Sequence, residues 1–142
     1  MTIRCEIVSQ DRIVYQGDAQ MVNLPGADGE MGILPNHSPL LTLLQFGVID
    51  VKTSTGDLHF TVSGGVVEVQ PDQVTILADA AENVEEIDIA RAEAAKVRAE
   101  SLMKTTPQMD AERYESLKAA LQKSNLRIDA ARRYRQSKSM SK

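Results

Sequence analysis

NLPGADGEMGILPNHSPLLT, residues 23–42, is the stretch whose reading decides the fold. It holds three of the five prolines and three of the eight glycines, so its backbone is heavily specified while few of its side chains can do chemistry. Pro25-Gly26-Ala27-Asp28-Gly29 reads as a tight turn and Met31-Gly32-Ile33-Leu34 as a short apolar run. Pro35-Asn36-His37-Ser38-Pro39 makes a second turn before another apolar run at residues 40–44. Turns this close together, joined by β-capable runs, predict a sandwich with a shaped contact surface, not an active site.

The same texture extends to both sides. Ile3-Arg4-Cys5-Glu6-Ile7 alternates with period two and places Cys5 inward with Ile3 and Ile7. With no basic neighbour at a helix start and no second thiol, Cys5 reads as a small core residue. Ile13-Val14-Tyr15 predicts a second strand, and Gly17-Asp18 a turn before residues 19–24. Residues 47–52 read as a strand leading into a hairpin turn at Ser54-Thr55-Gly56-Asp57. Residues 58–62 alternate again, with Leu58, Phe60 and Val62 inward and His59 on the solvent side. Ser63-Gly64-Gly65 is expected to break that strand, at a bulge or a close backbone approach. Residues 66–69, a Pro71-Asp72 turn and residues 74–77 complete a set of about eight to ten strands with nothing helical between them.

From Asp79 onward alanine and charge replace the β-branched residues. Residues 87–103 predict a helix with Glu85, Glu86 and Asp88 near its start. Ala90, Ala94, Val97 and Ser101 form one stripe of small residues, and Ala92, Ala95, Ala99 and Leu102 a second. Lys104-Thr105-Thr106-Pro107 is the break, with Thr106 expected as N-cap and Pro107 at the first position of a second helix ending near Tyr134. Tyr114, Leu117, Leu121, Ser124, Ile128 and Ala131 give that helix a seven-residue seam. The expected architecture is therefore α+β in two parts: an antiparallel β-sandwich over residues 1–83 and an antiparallel α-helical hairpin over residues 84–142. Alanine-rich faces predict that the hairpin is weakly held.

Composition agrees with this division. Residues 1–83 carry 3 basic and 11 acidic side chains, 3 − 11 = −8, and residues 84–142 carry 13 and 9, 13 − 9 = +4. Only 4% of the chain is aromatic and none is Trp. A single cysteine excludes an internal disulfide, which fits a reducing compartment. No apolar run approaches the ~20 residues that span a bilayer, and the start lacks the marks of a signal or transit peptide. The expectation is a protein without direct membrane insertion, held at a membrane only by a partner.

Catalysis needs a nucleophile with its base, paired carboxylates in a cleft, or a metal set, and none is recognisable. His37 and His59 are the only histidines and are not at helical metal spacing. His37 is open to two readings, pinning its turn or touching a partner. There is no GxxxxGK phosphate loop. The C-terminal end holds Arg127, Arg132, Arg133, Arg135, Lys138 and Lys142 against Asp129 alone. A solvated tail and a surface for an acidic protein are both consistent with it. Nucleic acid is disfavoured by the acidic total and the scarcity of stacking aromatics.

Three motifs carry a resemblance. GEMGILPNHSPLLT resembles the signature loop of the epsilon subunit of F-type ATP synthase, the glycine pair and following residues at 64–69 resemble the same family, and Ile87-Asp88-Ile89-Ala90-Arg91-Ala92 matches its I/L-D-x-x-R-A pattern. The resemblance covers nearly the whole chain. It implies a non-catalytic rotor subunit of a bacterial proton-translocating enzyme, peripheral on the cytoplasmic side of the plasma membrane. Its sandwich would grip the gamma subunit and the c-ring, with Met31, Gly32, Ile33, Leu34, Pro35, Asn36 and His37 as contact surface. Its hairpin would be a mobile brake, and when extended would set Arg132, Arg133 and Arg135 against acidic residues of the catalytic alpha/beta head.

In some bacterial members this hairpin binds ATP, a regulatory ligand where no cofactor is required. The matching positions are Glu82, Ile87, Asp88, Arg91, Ala92, Arg98 and Arg127, with Lys123 where the family has a second basic group. Lysine offers phosphate a point charge instead of a fork. The plainer reading of the same residues is that Asp88 caps the helix and Arg91 and Arg98 are solvated or ion-paired. The rival to a stalk subunit is a free-standing nucleotide-sensing adaptor.

Overall fold

The computed structural model describes residues 1–107 and 109–140, with side chains as far as residue 135. The chain divides into two compact units, Met1–Asn83 and Val84–Lys142.

The first unit contains eight strands: β1 (Ile3–Ser9), β2 (Arg12–Ala19), β3 (Met21–Gly26), β4 (Gly29–Ile33), β5 (Leu40–Thr53), β6 (Gly56–Val69), β7 (Gln73–Ala78) and β8 (Ala81–Asn83). They form one hydrogen-bonded sheet in the order β2-β1-β7-β6-β5-β3-β4, with β8 paired to β6. Every pairing is antiparallel except β1 with β7. The sheet becomes a sandwich because its two longest strands serve both layers. The start of β6 carries β8 at residues 60–62, and its end carries β7 at residues 65–69.

Sequence reading expected a strand break at Ser63-Gly64-Gly65 and separate strands at 40–44 and 47–52; instead β5 and β6 each run unbroken for 14 residues. The register runs on unchanged from Leu44↔Gly65 to Phe46↔Ser63, but the facing residues between them, Gln45 and Gly64, are not paired in that ladder. The register itself does not shift, but the ladder lapses at this facing pair, and the inward phase of both strands changes parity there. Phe60 and Val62 face the core before the glycines, Val67 and Val69 after them. Gly64 (φ 99°) and Gly65 (φ 142°) supply the left-handed backbone this requires. A Cβ on Gly65 would lie 2.4 Å from the Leu77 carbonyl oxygen, so β7 approaches as closely as it does only because position 65 has no side chain.

Gly17-Asp18 also departs from expectation: it lies inside β2 and makes no turn. Tyr15 folds back over position 17, where a Cβ would meet its Oη at 2.5 Å, and Tyr15 instead reaches Phe60 at a centroid distance of 5.4 Å. Ile3, Cys5, Ile7, Val22, Leu24, Ile49, Val51, Phe60, Val62, Val67, Val69, Val74 and Ile76 form one buried cluster. Each large member contributes about 1.5–3 kcal/mol on burial.

The second unit opens with a 3-10 turn, Val84–Glu86, followed by α1 (Ile89–Thr105) and α2 (Ala111–Met140). Thr106 does not cap α2. It ends α1, donating its hydroxyl to the Leu102 carbonyl at 2.6 Å, and Pro107 lies in the connection. The cap of α2 is Asp110, whose carboxylate accepts from the Arg113 amide at 3.3 Å while its carbonyl accepts from the Tyr114 amide. Ser124, Ile128 and Ala131 of the seam are buried, and Tyr114, Leu117 and Leu121 are half-buried. On α1 the stripe of Ala92, Ala95, Ala99 and Leu102 is the covered one; Ala90, Ala94, Val97 and Ser101 are exposed. Among the described residues the buried hydrophobic side chains of this unit are Val84, Ile87 and Ile128 with four alanines, a far thinner core than the sandwich has.

The corner generates a stability prediction. Gly56→Ala, at φ 136° with nothing within 4 Å of the new methyl, should cost about 1–3 kcal/mol of backbone strain. Gly65→Ala adds the collision with Leu77 and should cost clearly more, as the shift in urea midpoint will show.

Candidate functional site

Two sets of residues, one in each unit, are candidates. In the sandwich, the loop predicted as contact surface is held by the backbone on both sides. The Asn36 amide donates to the Pro71 carbonyl at 2.8 Å, and Asn36 itself sits at φ 67°, which asparagine tolerates. His37 Nδ1 donates to the Ser38 carbonyl at 2.8 Å, so the imidazole ties its own turn. Met31, Pro35 and His37 are half-buried, and Gly32, Leu34 and Asn36 are exposed. Ile33 is the exception: only 1% exposed, its side chain belongs to the core, which removes it from the contact surface.

Strand register exposes a second surface that sequence reasoning missed. Leu43 on β5 pairs with Val66, Val66 with Leu77, Leu77 with Val8 and Val8 with Ile13. These five side chains therefore line up across β5, β6, β7, β1 and β2 on the outer face. Leu43 is 60% exposed, Leu77 53% and Ile13 59%, with Val66 and Val8 half-buried. Apolar side chains in a continuous row at such exposure mark an interaction surface. Beside the row lies a shallow depression of about 300 Å³ lined by Pro39, Leu40, Leu41, Glu68, Val69 and Gln70. The signal for the row was present in Leu41 and Leu43, apolar on the solvent phase of a strand, but only the pairing assembles it.

His59 faces outward as expected and donates through Nδ1 to Asp50 Oδ1 at 2.6 Å, a cross-strand pair. Among the described residues no cluster of His, Cys, Asp or Glu is placed to hold a metal. No described helix is long and apolar enough to cross a membrane.

In the helical unit, Asp88 is the N-cap of α1, its carboxylate accepting from the Arg91 amide at 3.1 Å and its carbonyl from the Ala92 amide at 3.0 Å. Ile87 (2% exposed) and Ala92 (0%) are buried and shape the hairpin by packing. Arg91, Arg98 and Lys123 are exposed and Arg127 is half-buried. Glu82 lies on β8, in the other unit, where its carbonyl accepts from the Thr61 hydroxyl. At the basic end, Arg132 Nη2 donates to Glu93 Oε1, and Arg135 Nη2 donates to the Ile87 carbonyl at 2.6 Å. Arg133 stacks over Tyr134, 5.3 Å from the ring centroid. The Lys138 side chain and Lys142 lie outside the described residues.

One titratable group is strongly perturbed. Burial, reinforced by the neighbouring Glu6 carboxylate, pushes the Cys5 thiol up to about 12. The phenol of Tyr15 is raised too, first by burial and then by Cys5. Cys5 should be inert to thiol reagents at neutral pH until the sandwich unfolds. The unfolded chain loses this proton near pH 9 and the folded one only near 12, so stability from this group is intact below pH 9 and falls above it. Cys5→Ala should flatten that alkaline fall in a urea titration series.

The sandwich and hairpin each match a family model: "ATP synthase, Delta/Epsilon chain, beta-sandwich domain" over residues 2–84 and "long alpha-helix domain" over residues 85–132. The chain is similar to an ATP synthase epsilon chain of Dehalococcoides mccartyi, 44% identical over 135 residues and 94% of each chain. A second, from Halalkalibacterium halodurans, is 44% identical over 93% of this chain and 98% of that one. The fold is also similar to a chain in the cryo-EM structure of Euglena gracilis mitochondrial ATP synthase, with TM-score 0.69, 24% identity, and 84% and 75% of the two chains covered. A chain of the Tetrahymena thermophila enzyme's central stalk and c-ring matches with TM-score 0.57, 17% identity, and 92% and 97% coverage.

Proposed function

Because the chain belongs to the delta/epsilon chain family of ATP synthase, as an epsilon chain, we propose that it is a non-catalytic subunit of the central rotor of a bacterial F-type enzyme. It is held at the cytoplasmic side of the plasma membrane by its partners. The observation that carries this reading is the outward row of Leu43, Val66, Leu77, Val8 and Ile13, which gives an otherwise well-packed sandwich a face suited to permanent docking. The gamma subunit is the partner for the sandwich, and the pinned turn with Leu34 exposed at its start faces the c-ring.

The hairpin works as a brake on ATP hydrolysis. Its thin, alanine-based core supports this, because two helices held by so little large apolar area separate at low cost. Extended, α2 brings Arg132, Arg133 and Arg135 to acidic residues of the catalytic head. ATP at Asp88, Arg91, Arg98, Lys123 and Arg127 favours the folded form. A ligand at a hundredfold excess over Kd shifts such a balance by about 2.7 kcal/mol.

Two experiments test this. Ending the chain after Asn83 should leave assembly and synthesis intact and raise latent hydrolysis several-fold; unchanged hydrolysis would remove the brake. In isothermal titration the full chain should bind ATP, and Arg91→Ala should weaken binding at least tenfold. Absence of heat with the unaltered chain would remove the nucleotide and leave the docking role standing.

A further inference from the structure

Two of the arginines assigned above to an acidic partner are already engaged inside the folded hairpin. Arg132 donates to the Glu93 carboxylate, 39 residues away in sequence, and Arg135 to the Ile87 carbonyl, 48 residues away. The two contacts differ in kind. Glu93 and Arg132 are about half exposed, so their pairing is individually weak and screened by salt. Ile87 immediately precedes the cap, and the first carbonyl in the α1 ladder is that of Asp88. The Ile87 carbonyl is therefore left over at the helix start, beside a buried side chain, and a guanidinium supplies a charge-assisted bond to it.

We propose that these contacts form a two-point clasp, and that closure of the hairpin competes with docking on an acidic partner for the same two guanidinium groups. Glu93 acts as an internal stand-in for the partner's carboxylate. The proposal rests on the brake reading and adds to it the groups that set its threshold. The upper anchor of the clasp is the first residue of the Ile87 to Ala92 motif, so a ligand that fixes the Asp88-capped start of α1 also fixes the acceptor of Arg135. Nucleotide and basic helix end are thereby coupled through one peptide group, with no change needed in the sandwich.

Amide hydrogen exchange on the full-length chain tests the clasp. Glu93→Gln and Arg132→Gln should each speed exchange of the inward amides of α1 and α2 about two- to fivefold. The double variant should be no faster than either single one, because both remove the same contact. Arg135→Gln should speed exchange chiefly in the first turn of α1. No change, or additive effects in the double variant, overturns the clasp. In the assembled enzyme Glu93→Gln should deepen inhibition of hydrolysis about two- to fivefold, since Arg132 is then released to the partner. Coupled exchange with unchanged inhibition overturns the competition. An enzyme whose hydrolysis is no higher when the chain is ended after Asn83 overturns the brake reading itself and leaves the clasp standing.

Discussion

The sandwich depends on one close approach: the backbone of β6 at Gly65 against the Leu77 carbonyl of β7. A side chain at that point would hold the strands apart, and the lapse in the ladder at Gln45 and Gly64 would have no corner to form. The parity change at this corner lets a single pair of long strands present Phe60 and Val62 to the core on one side and Val67 and Val69 on the other. It also decides what faces outward. Past the glycines the solvent phase of β6 falls on Val66, and its neighbours Leu43 and Leu77 are drawn into the same row. The packing that closes the core and the surface that invites a partner are two results of one backbone constraint.

The helical unit is built on the opposite principle. Where the sandwich fills its interior with branched side chains, the described residues of the helical unit bury four alanines with Val84, Ile87 and Ile128, and polar contacts at the ends carry a greater share of the specificity. Alanine permits close approach without much area to lose on separation. A thickly packed body and a thinly packed pair of helices are thus encoded by different side-chain volumes, in one chain, on either side of Asn83.

Much of this was legible from local pattern. Alternation in residues 3–7 placed Cys5 correctly inside, the change of composition after Asp79 announced the helices although one short strand, β8, still follows it, and the seam from Tyr114 to Ala131 is the covered side of α2. What was not legible depended on partners distant in sequence. Gly64-Gly65 announced a close backbone approach, but that β7 is the strand that approaches, and that β6 runs on through the glycines unbroken, depends on residues far along the chain. Gly17 looks like a turn unless Tyr15 is seen leaning over it. Thr106-Pro107 has the form of a helix start, but the Leu102 carbonyl captured the threonine hydroxyl for the preceding helix and left the capping to Asp110. Of the candidate contact residues, Ile33 was misjudged because an apolar residue beside a turn serves core and surface equally well until the register is known.

The lone parallel pairing, β1 against β7, has a consequence for the order in which the molecule is made. β1 leaves the ribosome well ahead of its inner neighbour, Gln73–Ala78, which lies some seventy residues behind it. Until that segment emerges, Ile3, Cys5 and Ile7 have only the hairpin with β2 to shelter them. Isolated hairpins are marginal in water, so β1 waits uncommitted while the rest of the sandwich is made. The sandwich then closes in a late, non-local step, while the helical unit that follows it is still leaving the ribosome.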